Sequence, residues 1–449
     1  DSGVYPPLGL MYLAAYLTQN SDHQVQIIDM PVEKMTYETL EKEIKERAPD
    51  VVGIHATTFT IVDALLVANT VKKVKPHIHV CLGGPHTTIY PEETIDSPEI
   101  DFLVLGEGEV IFTELINALE NGGDLKKIKG IVFKRGGKII NNGLAEPISD
   151  LNKLPFPNRK LIPYQKYHSI IARHPVITTF LTSRGCPYHC TFCYQFMGRN
   201  YRYRSVANVM EEIEECLKLG IKEFFFFDET FTINRERALA ICDEIINRKL
   251  DISWEIRARV NTVDREMLAK FKKAGCERIQ FGVETSSPEI LKIIKKGITI
   301  TQVREAFKMA KDVGLTTFAD FMIGLPTETR EQALRTIEFS KELKPNYVQF
   351  GITTPLPATE LYESGFEKGL YHEDYWRDFA RNPSKEFIPK VWEEHLLREE
   401  LLFLLNYAYR SFYMRPSYIL KELFRIKSFD ELKRKVKGGL KISRLKSKF

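Results

Sequence analysis

From about residue 176 to residue 360 the chain alternates six times between a short apolar strand and an amphipathic helix. This repetition constrains the fold more than any other feature. Strands are read at Val176–Thr182, Glu223–Asp228, Ser253–Val260, Arg278–Glu284, Thr316–Ile323 and Tyr347–Thr353. Helices fall between them at Val206–Leu219, Arg235–Arg248, Asp264–Ala274, Ile300–Val313 and Thr329–Leu343. Strands joined by helical crossovers run parallel. Six such units are two short of a closed eight-stranded barrel. Loops at the carboxyl ends of parallel barrel strands carry active sites. The polar residues ending these strands, Asp228, Arg257 with Arg259, and Glu284, are therefore candidates for ligand contact.

The loop after the first strand reads Cys186-Pro187-Tyr188-His189-Cys190-Thr191-Phe192-Cys193. Three thiolates at this spacing hold three irons of a [4Fe–4S] cube and leave the fourth open to a non-protein ligand. Gly185 and Pro187 suit the tight turn this requires. A structural zinc site wants four ligands in two pairs; no second CxxC exists, and His189 inside the loop is poorly placed to complete a tetrahedron. Disulfides are disfavoured by an odd count of seven cysteines in a long, Lys- and Glu-rich chain of intracellular character. Cys81, Cys216, Cys242 and Cys276 stand isolated in apolar surroundings and read as core residues.

Residues 1–150 read as an open α/β domain, 151–175 as a Pro-rich linker, 176–365 as the barrel and 366–449 as a helical, basic C-terminal region. The first domain has strand candidates at Val25–Asp29, Val51–His55, Ile78–Leu82 and Asp101–Leu105, and a hairpin at Gly130–Ile140 turning at Gly136-Gly137. A first strand before Pro6-Pro7-Leu8-Gly9 is expected and absent, and the chain opens at Asp1 without Met, so its natural start is expected to lie further upstream. Ligands of open α/β sheets bind at strand carboxyl ends. The small and polar residues there, Thr57-Thr58, Gly83-Gly84-Pro85-His86 and Gly106-Glu107, form a candidate rim. The stretch Gly106-Glu107-Gly108-Glu109 is not the dinucleotide fingerprint, and no phosphate-binding P-loop occurs.

The cysteine spacing, with aromatic Phe192 before the last cysteine, resembles the radical S-adenosylmethionine (radical SAM) superfamily. The likeness extends over nearly the whole chain to its cobalamin-binding class. It is carried by Pro7-Leu8-Gly9-Leu10, Tyr12–Leu17, Gly83–His86, Gly106–Glu109, Phe227–Thr232, Gly282–Thr285 and Gly324–Thr327. The resemblance implies an N-terminal Rossmann-like cobalamin-binding domain, a partial (β/α)6 barrel and a helical C-terminal region. It implies a [4Fe–4S] cluster on Cys186, Cys190 and Cys193, with SAM on the open iron. Phe192, Asp228, Arg257 and Glu284 are the expected SAM and cluster neighbours. Gly9, Thr57, Thr58, Gly83, Gly84, His86, Gly106 and Glu107 are the expected cobalamin contacts. The Asp-x-His-x-x-Gly motif that supplies a cobalt-binding histidine in methionine synthase-like domains is missing, so cobalamin is expected without a protein histidine ligand.

The family's chemistry implies methylation of an unactivated carbon: a 5′-deoxyadenosyl radical removes a hydrogen, the carbon takes the methyl group of methylcobalamin, and a second SAM restores it. An oxidative or ring-forming reaction of the anaerobic protoporphyrin ester cyclase type is the alternative. A non-catalytic iron–sulfur or cobalamin carrier is the competing class, disfavoured because a carrier needs no open iron. No catalytic acid or base is assigned. The expected partners are a small-molecule or lipid-like substrate and a flavodoxin- or ferredoxin-type reductant, with no nucleic acid.

Charge adds one further expectation. The chain carries a net +4, yet residues 410–449 alone hold thirteen Lys/Arg against three Asp/Glu. Such a tail suits peripheral contact of an otherwise cytoplasmic protein with an anionic membrane; a solvated helix that only aids solubility accounts for it equally well.

Overall fold

The computed structural model describes residues 3–424. Most of the basic tail, and with it the expectation of membrane contact, lies outside the described residues.

The N-terminal sheet has five strands in the order β1 (Val51–His55), β2 (His79–Gly83), β3 (Phe102–Val104), β4 (Ile131–Arg135) and β5 (Lys138–Asn141). The first three run parallel, and β4 and β5 form the antiparallel hairpin. Gly136 and Gly137 turn this hairpin with φ of 58° and 74°, values that residues with a Cβ adopt poorly. Helices Leu8–Gln19, Tyr37–Arg47, Ile61–Val74 and Gly108–Asn121 cover the sheet. The expected strand Val25–Asp29 pairs with no other among the described residues. Its side chains are held elsewhere: Ile27 packs on the cluster of Met11 and Tyr167, and the Tyr167 hydroxyl donates to Asp29 at 2.7 Å.

The second sheet contains six parallel strands in sequence order: β6 (Ile177–Phe180), β7 (Glu223–Phe226), β8 (Ser253–Ala258), β9 (Cys276–Glu284), β10 (Thr316–Ile323) and β11 (Tyr347–Ile352). Successive residues of a strand face opposite sides. One set packs under the helices, as Trp254 does on Phe271 at 5.5 Å and Phe281 on Phe307 at 5.2 Å. The opposite set, including Arg257, Gln280, Asp320 and Gln349, keeps solvent access. A closed eight-stranded barrel fills its interior with side chains; here several side chains of the inner face stay partly exposed. Its floor is ionic: Arg278 bonds Glu223, Glu255 (2.6 Å) and the Ile171 carbonyl (2.9 Å).

An unclosed barrel has two free edges, and each is covered. Beside β6, Thr179 donates to the Pro6 carbonyl at 3.3 Å, and Tyr5 packs on Phe225 at 4.9 Å. Along β11, the Tyr413 hydroxyl accepts from Val348 N–H (2.9 Å) and donates to Val348 C=O (2.8 Å). Tyr409 does the same for Phe350, at 3.1 and 3.0 Å. Both tyrosines sit on the helix Arg398–Tyr413 four residues apart, hence on one face. Their hydroxyls replace the hydrogen bonds of a missing seventh strand.

Candidate functional site

The cysteine loop opens from a short antiparallel ladder, Ser183–Arg184 against Arg202–Tyr203. Gly185 turns it with φ of 88°, and a Cβ there would sit 2.2 Å from the Asn200 carbonyl. Cys186 N–H donates to Gly198 O (3.1 Å), and Cys193 N–H to Cys190 O (3.2 Å). Cys186 is half-buried, Cys190 buried and Cys193 exposed. Arg259 donates to Cys190 Sγ at 3.5 Å and stacks 3.7 Å from the Tyr188 ring centre. The hydrogen bond from Cys193, aided by Lys296 and Arg259, pulls the Cys190 thiol down to about 6, while Cys193, bonded to Cys190, is held up. Among the described residues no three His, Cys, Asp or Glu side chains converge on a single ion. A cube requires no such convergence, since each thiolate takes a different iron. Three thiols on a short loop beside two cationic side chains fit that group.

The strand-end residues divide into two roles. Asp228 is fully buried and accepts from Thr182 N–H (2.7 Å), Thr182 Oγ1 and Ser183 Oγ (2.6 Å). Its carboxylate therefore fixes the entry to the cysteine loop. The next residue, Glu229, is exposed and bonds the Gly185 backbone; burial of its carboxyl and the nearby Asp228 push it up to about 7. Glu284 is buried and pairs with Lys296 Nζ at 2.6 Å, and that ammonium lies 5.7 Å from the Phe192 ring. Glu284 has φ of 69° at an irregularity between β9 and β10, strain of the kind found at ligand sites. The pair folds over Gly282, where a Cβ would lie 2.5 Å from Glu284 Oε1 and 2.7 Å from Lys296 Nζ. Arg257 does not reach the cysteines. Arg259 does, while Arg257, two residues deeper on the same strand face, lies over Phe227 at 5.0 Å.

The rim of the N-terminal sheet is only partly as expected. Gly9 is exposed, and neither Gly9 nor Gly106 has a neighbour within 4 Å of an added Cβ, leaving space for a large ligand to lie close to the backbone. Gly83 and Thr57 are half-buried at the strand ends, and the Thr57 N–H donates to Thr60 Oγ1 at 2.9 Å. Gly84 has φ of 115° and lies against the end of the neighbouring strand β1, with Ala56 O at 2.6 Å from an added Cβ. Thr58 and His86 are buried under the rim, His86 fully, with Nδ1 3.3 Å from Thr58 Oγ1 and Nε2 unpartnered. Burial lowers this histidine to about 4.

Glu107 ties the rim of the first sheet to the second domain. Its carboxylate is held by Arg184 (3.2 Å), by Arg202 (2.5 and 3.0 Å) and by Ile148 N–H (3.0 Å). Arg184 also pairs with Glu109 at 2.5 Å and lies over the Tyr12 ring at 5.4 Å. This loop therefore clamps the rim of the first sheet onto the base of the cysteine loop. Glu229 lies in the Phe227–Thr232 motif beside Asp228; Arg184 and Arg202 are lone cations whose partners lie 75 or more residues away, and Lys296 reaches back 12 residues to Glu284.

Fold and site together define an enzyme that joins a cysteine-loop partial barrel to a corrin-type α/β domain. Residues 180–340 match the radical SAM superfamily and residues 2–116 the B12 binding domain. The uncharacterized methyltransferase PH0819 of Pyrococcus horikoshii is 40% identical over 97% of this chain and 94% of its own length. The anaerobic magnesium-protoporphyrin IX monomethyl ester cyclase of Rubrivivax gelatinosus is 31% identical, covering 93% and 75%. The cobalamin-dependent S-adenosylmethionine radical enzyme OxsB shares the fold at a TM-score of 0.75 and 19% identity, over 96% of this chain and 68% of its own. The chain belongs to the cobalamin-dependent radical SAM enzymes, and its cofactors are a [4Fe–4S] cluster, S-adenosylmethionine and cobalamin.

Proposed function

We propose that this enzyme methylates an unactivated carbon of a small molecule. The observation that carries the reading is the clamp of Arg184 and Arg202 on Glu107 and Glu109, because it sets the rim of the cobalamin domain against the entry to the cysteine loop. When bound, the cofactors supply an adenosyl radical and a transferable methyl group. The chain's own residues do the rest. Cys186, Cys190 and Cys193 hold the cluster, with Arg259 and Lys296 balancing thiolate charge. Exposed Glu229, beside Gly185, accepts hydrogen bonds from the cationic amino group of SAM. Phe192 and the Glu284–Lys296 pair wall the same site. Gly9 and Gly106 admit the corrin face. The electron comes from a flavodoxin- or ferredoxin-type partner, and the enzyme works in the cytoplasm.

The cyclase reading keeps one specific support: the Rubrivivax relative, named as a cyclase, spans 93% of this chain. Anaerobic reaction with SAM labelled in its methyl group, followed by mass spectrometry, separates the two. Methylation gives deoxyadenosine, S-adenosylhomocysteine and a labelled product. Cyclisation gives deoxyadenosine with no labelled product.

A further inference from the structure

The lumen beneath the cysteine loop has a chemistry of its own. Between the buried floor at Arg278 and the buried roof at Glu284, the inward residues Glu255, Arg257, Gln280, Asp320, Phe318, Tyr347 and Gln349 keep solvent access. Most of the inward carboxylates already have close partners. Glu223 and Glu255 share Arg278 at the floor, Glu284 holds Lys296 at the roof, and Asp320 takes both hydrogen bonds from Gln280 Nε2, at 3.0 and 2.8 Å. Arg257 differs. It is exposed and lies over the face of Phe227; Glu255 and Asp320 are its charge neighbours, but neither is within ion-pair distance. A guanidinium held over an aromatic face is pre-oriented and presents its planar fork of donors outward. Across the lumen Phe318 and Tyr347 stack at 4.7 Å and 26°, so the wall on β10 and β11 is flat and apolar.

We propose that the lumen takes a substrate with an apolar or aromatic body and an anionic oxo-acid group, carboxylate or phosphate, with Arg257 as the residue that binds that group. Arg–oxoanion pairs are bidentate and charge-assisted, and they gain strength where water is partly excluded. The aromatic wall takes the body of the molecule, as in ligand sites that combine apolar lining with a few convergent polar groups. Gln349, exposed on β11, supplies a neutral amide to the same space. The assignment rests on the reading of the protein as a SAM enzyme whose substrate lies below the cysteine loop, and it removes Arg257 from the SAM contacts.

The test uses the anaerobically reconstituted holoprotein and three small probes observed by fluorine NMR: 4-fluorobenzoate, 4-fluorophenyl phosphate and the neutral 4-fluorobenzamide. Wild type binds one or both anions and binds the amide at least tenfold more weakly. Stronger binding of benzoate assigns a carboxylate, and stronger binding of the phosphate ester a phosphate. Arg257→Gln weakens the preferred anion at least tenfold and leaves the SAM dissociation constant, measured by calorimetry, unchanged. Gln349→Glu, which adds a like charge without touching Arg257, weakens the same anion at least threefold. Equal binding of anion and amide by wild type, or undiminished anion binding in either variant, overturns the proposal. So does loss of SAM affinity in Arg257→Gln, which would place the arginine on the cofactor. A wild-type protein that binds the anions but not SAM would refute the enzymatic reading alone.

Discussion

Arg184 shows how much one residue carries at this junction. It precedes the glycine that opens the cysteine loop, it is 3% exposed, and it neutralises two carboxylates that are 7% exposed. Removing one partner of a buried ion pair leaves a charge without compensation, at a cost of about 3–5 kcal/mol. Arg184→Gln should therefore lower the thermal midpoint clearly more than a matched change at an exposed pair such as Arg304–Glu342; equal shifts would contradict the clamp. Glu328 gives a second, pH-dependent case. Its Oε2 accepts from Gly324 N–H (2.6 Å) and Leu325 N–H (3.3 Å), its Oε1 is buried without a partner, and burial pushes the carboxyl from 4.5 up to about 7. The folded state then binds this proton more tightly than the unfolded chain. Its contribution is fully present below pH 4.5 and is lost as pH rises through 7, a swing on the order of 3 kcal/mol. Glu328→Gln should flatten the fall in thermal midpoint between pH 5 and pH 8, and an unchanged slope would count against the assignment.

At the scale of elements, the β11 edge depends on two hydroxyls. Each of Tyr409 and Tyr413 satisfies both backbone groups of one residue, and a buried polar group left unpaired costs about 1–3 kcal/mol. The double variant Tyr409→Phe, Tyr413→Phe should speed amide exchange at Val348 and Phe350 while β9 stays protected. Equal protection of all three would show that the hydroxyls do not cap the edge. The six barrel strands were legible because each pairs an apolar run with helix-period flanks, and Thr316–Ile323 agrees to the residue. The run at Val25–Asp29 reads as a strand by composition alone, and long-range ties through Ile27 and Asp29 decide otherwise. The same limit applies at the site. Cysteine spacing is local and therefore visible, whereas the Arg184–Glu107 and Arg202–Glu107 pairs join residues distant in the chain.

In the whole molecule the two cofactor domains meet through the Arg184 clamp, through Tyr5 on Phe225 and through Trp376 on Phe59. Gly9 offers a clean probe of the first domain, because an added Cβ there meets nothing of the protein, unlike Gly84, where it would strike the Ala56 carbonyl at the end of β1. Gly9→Trp should abolish cobalamin uptake and leave about four irons per chain; normal uptake would remove Gly9 from the rim. The central claim, a cluster on Cys186, Cys190 and Cys193 whose open iron takes SAM, is tested most directly by electron paramagnetic resonance of the reduced protein before and after addition of SAM. The account predicts a [4Fe–4S] signal that shifts when SAM is added and is absent in Cys193→Ala. A signal that SAM leaves unchanged, or one that survives intact in Cys193→Ala, would contradict it.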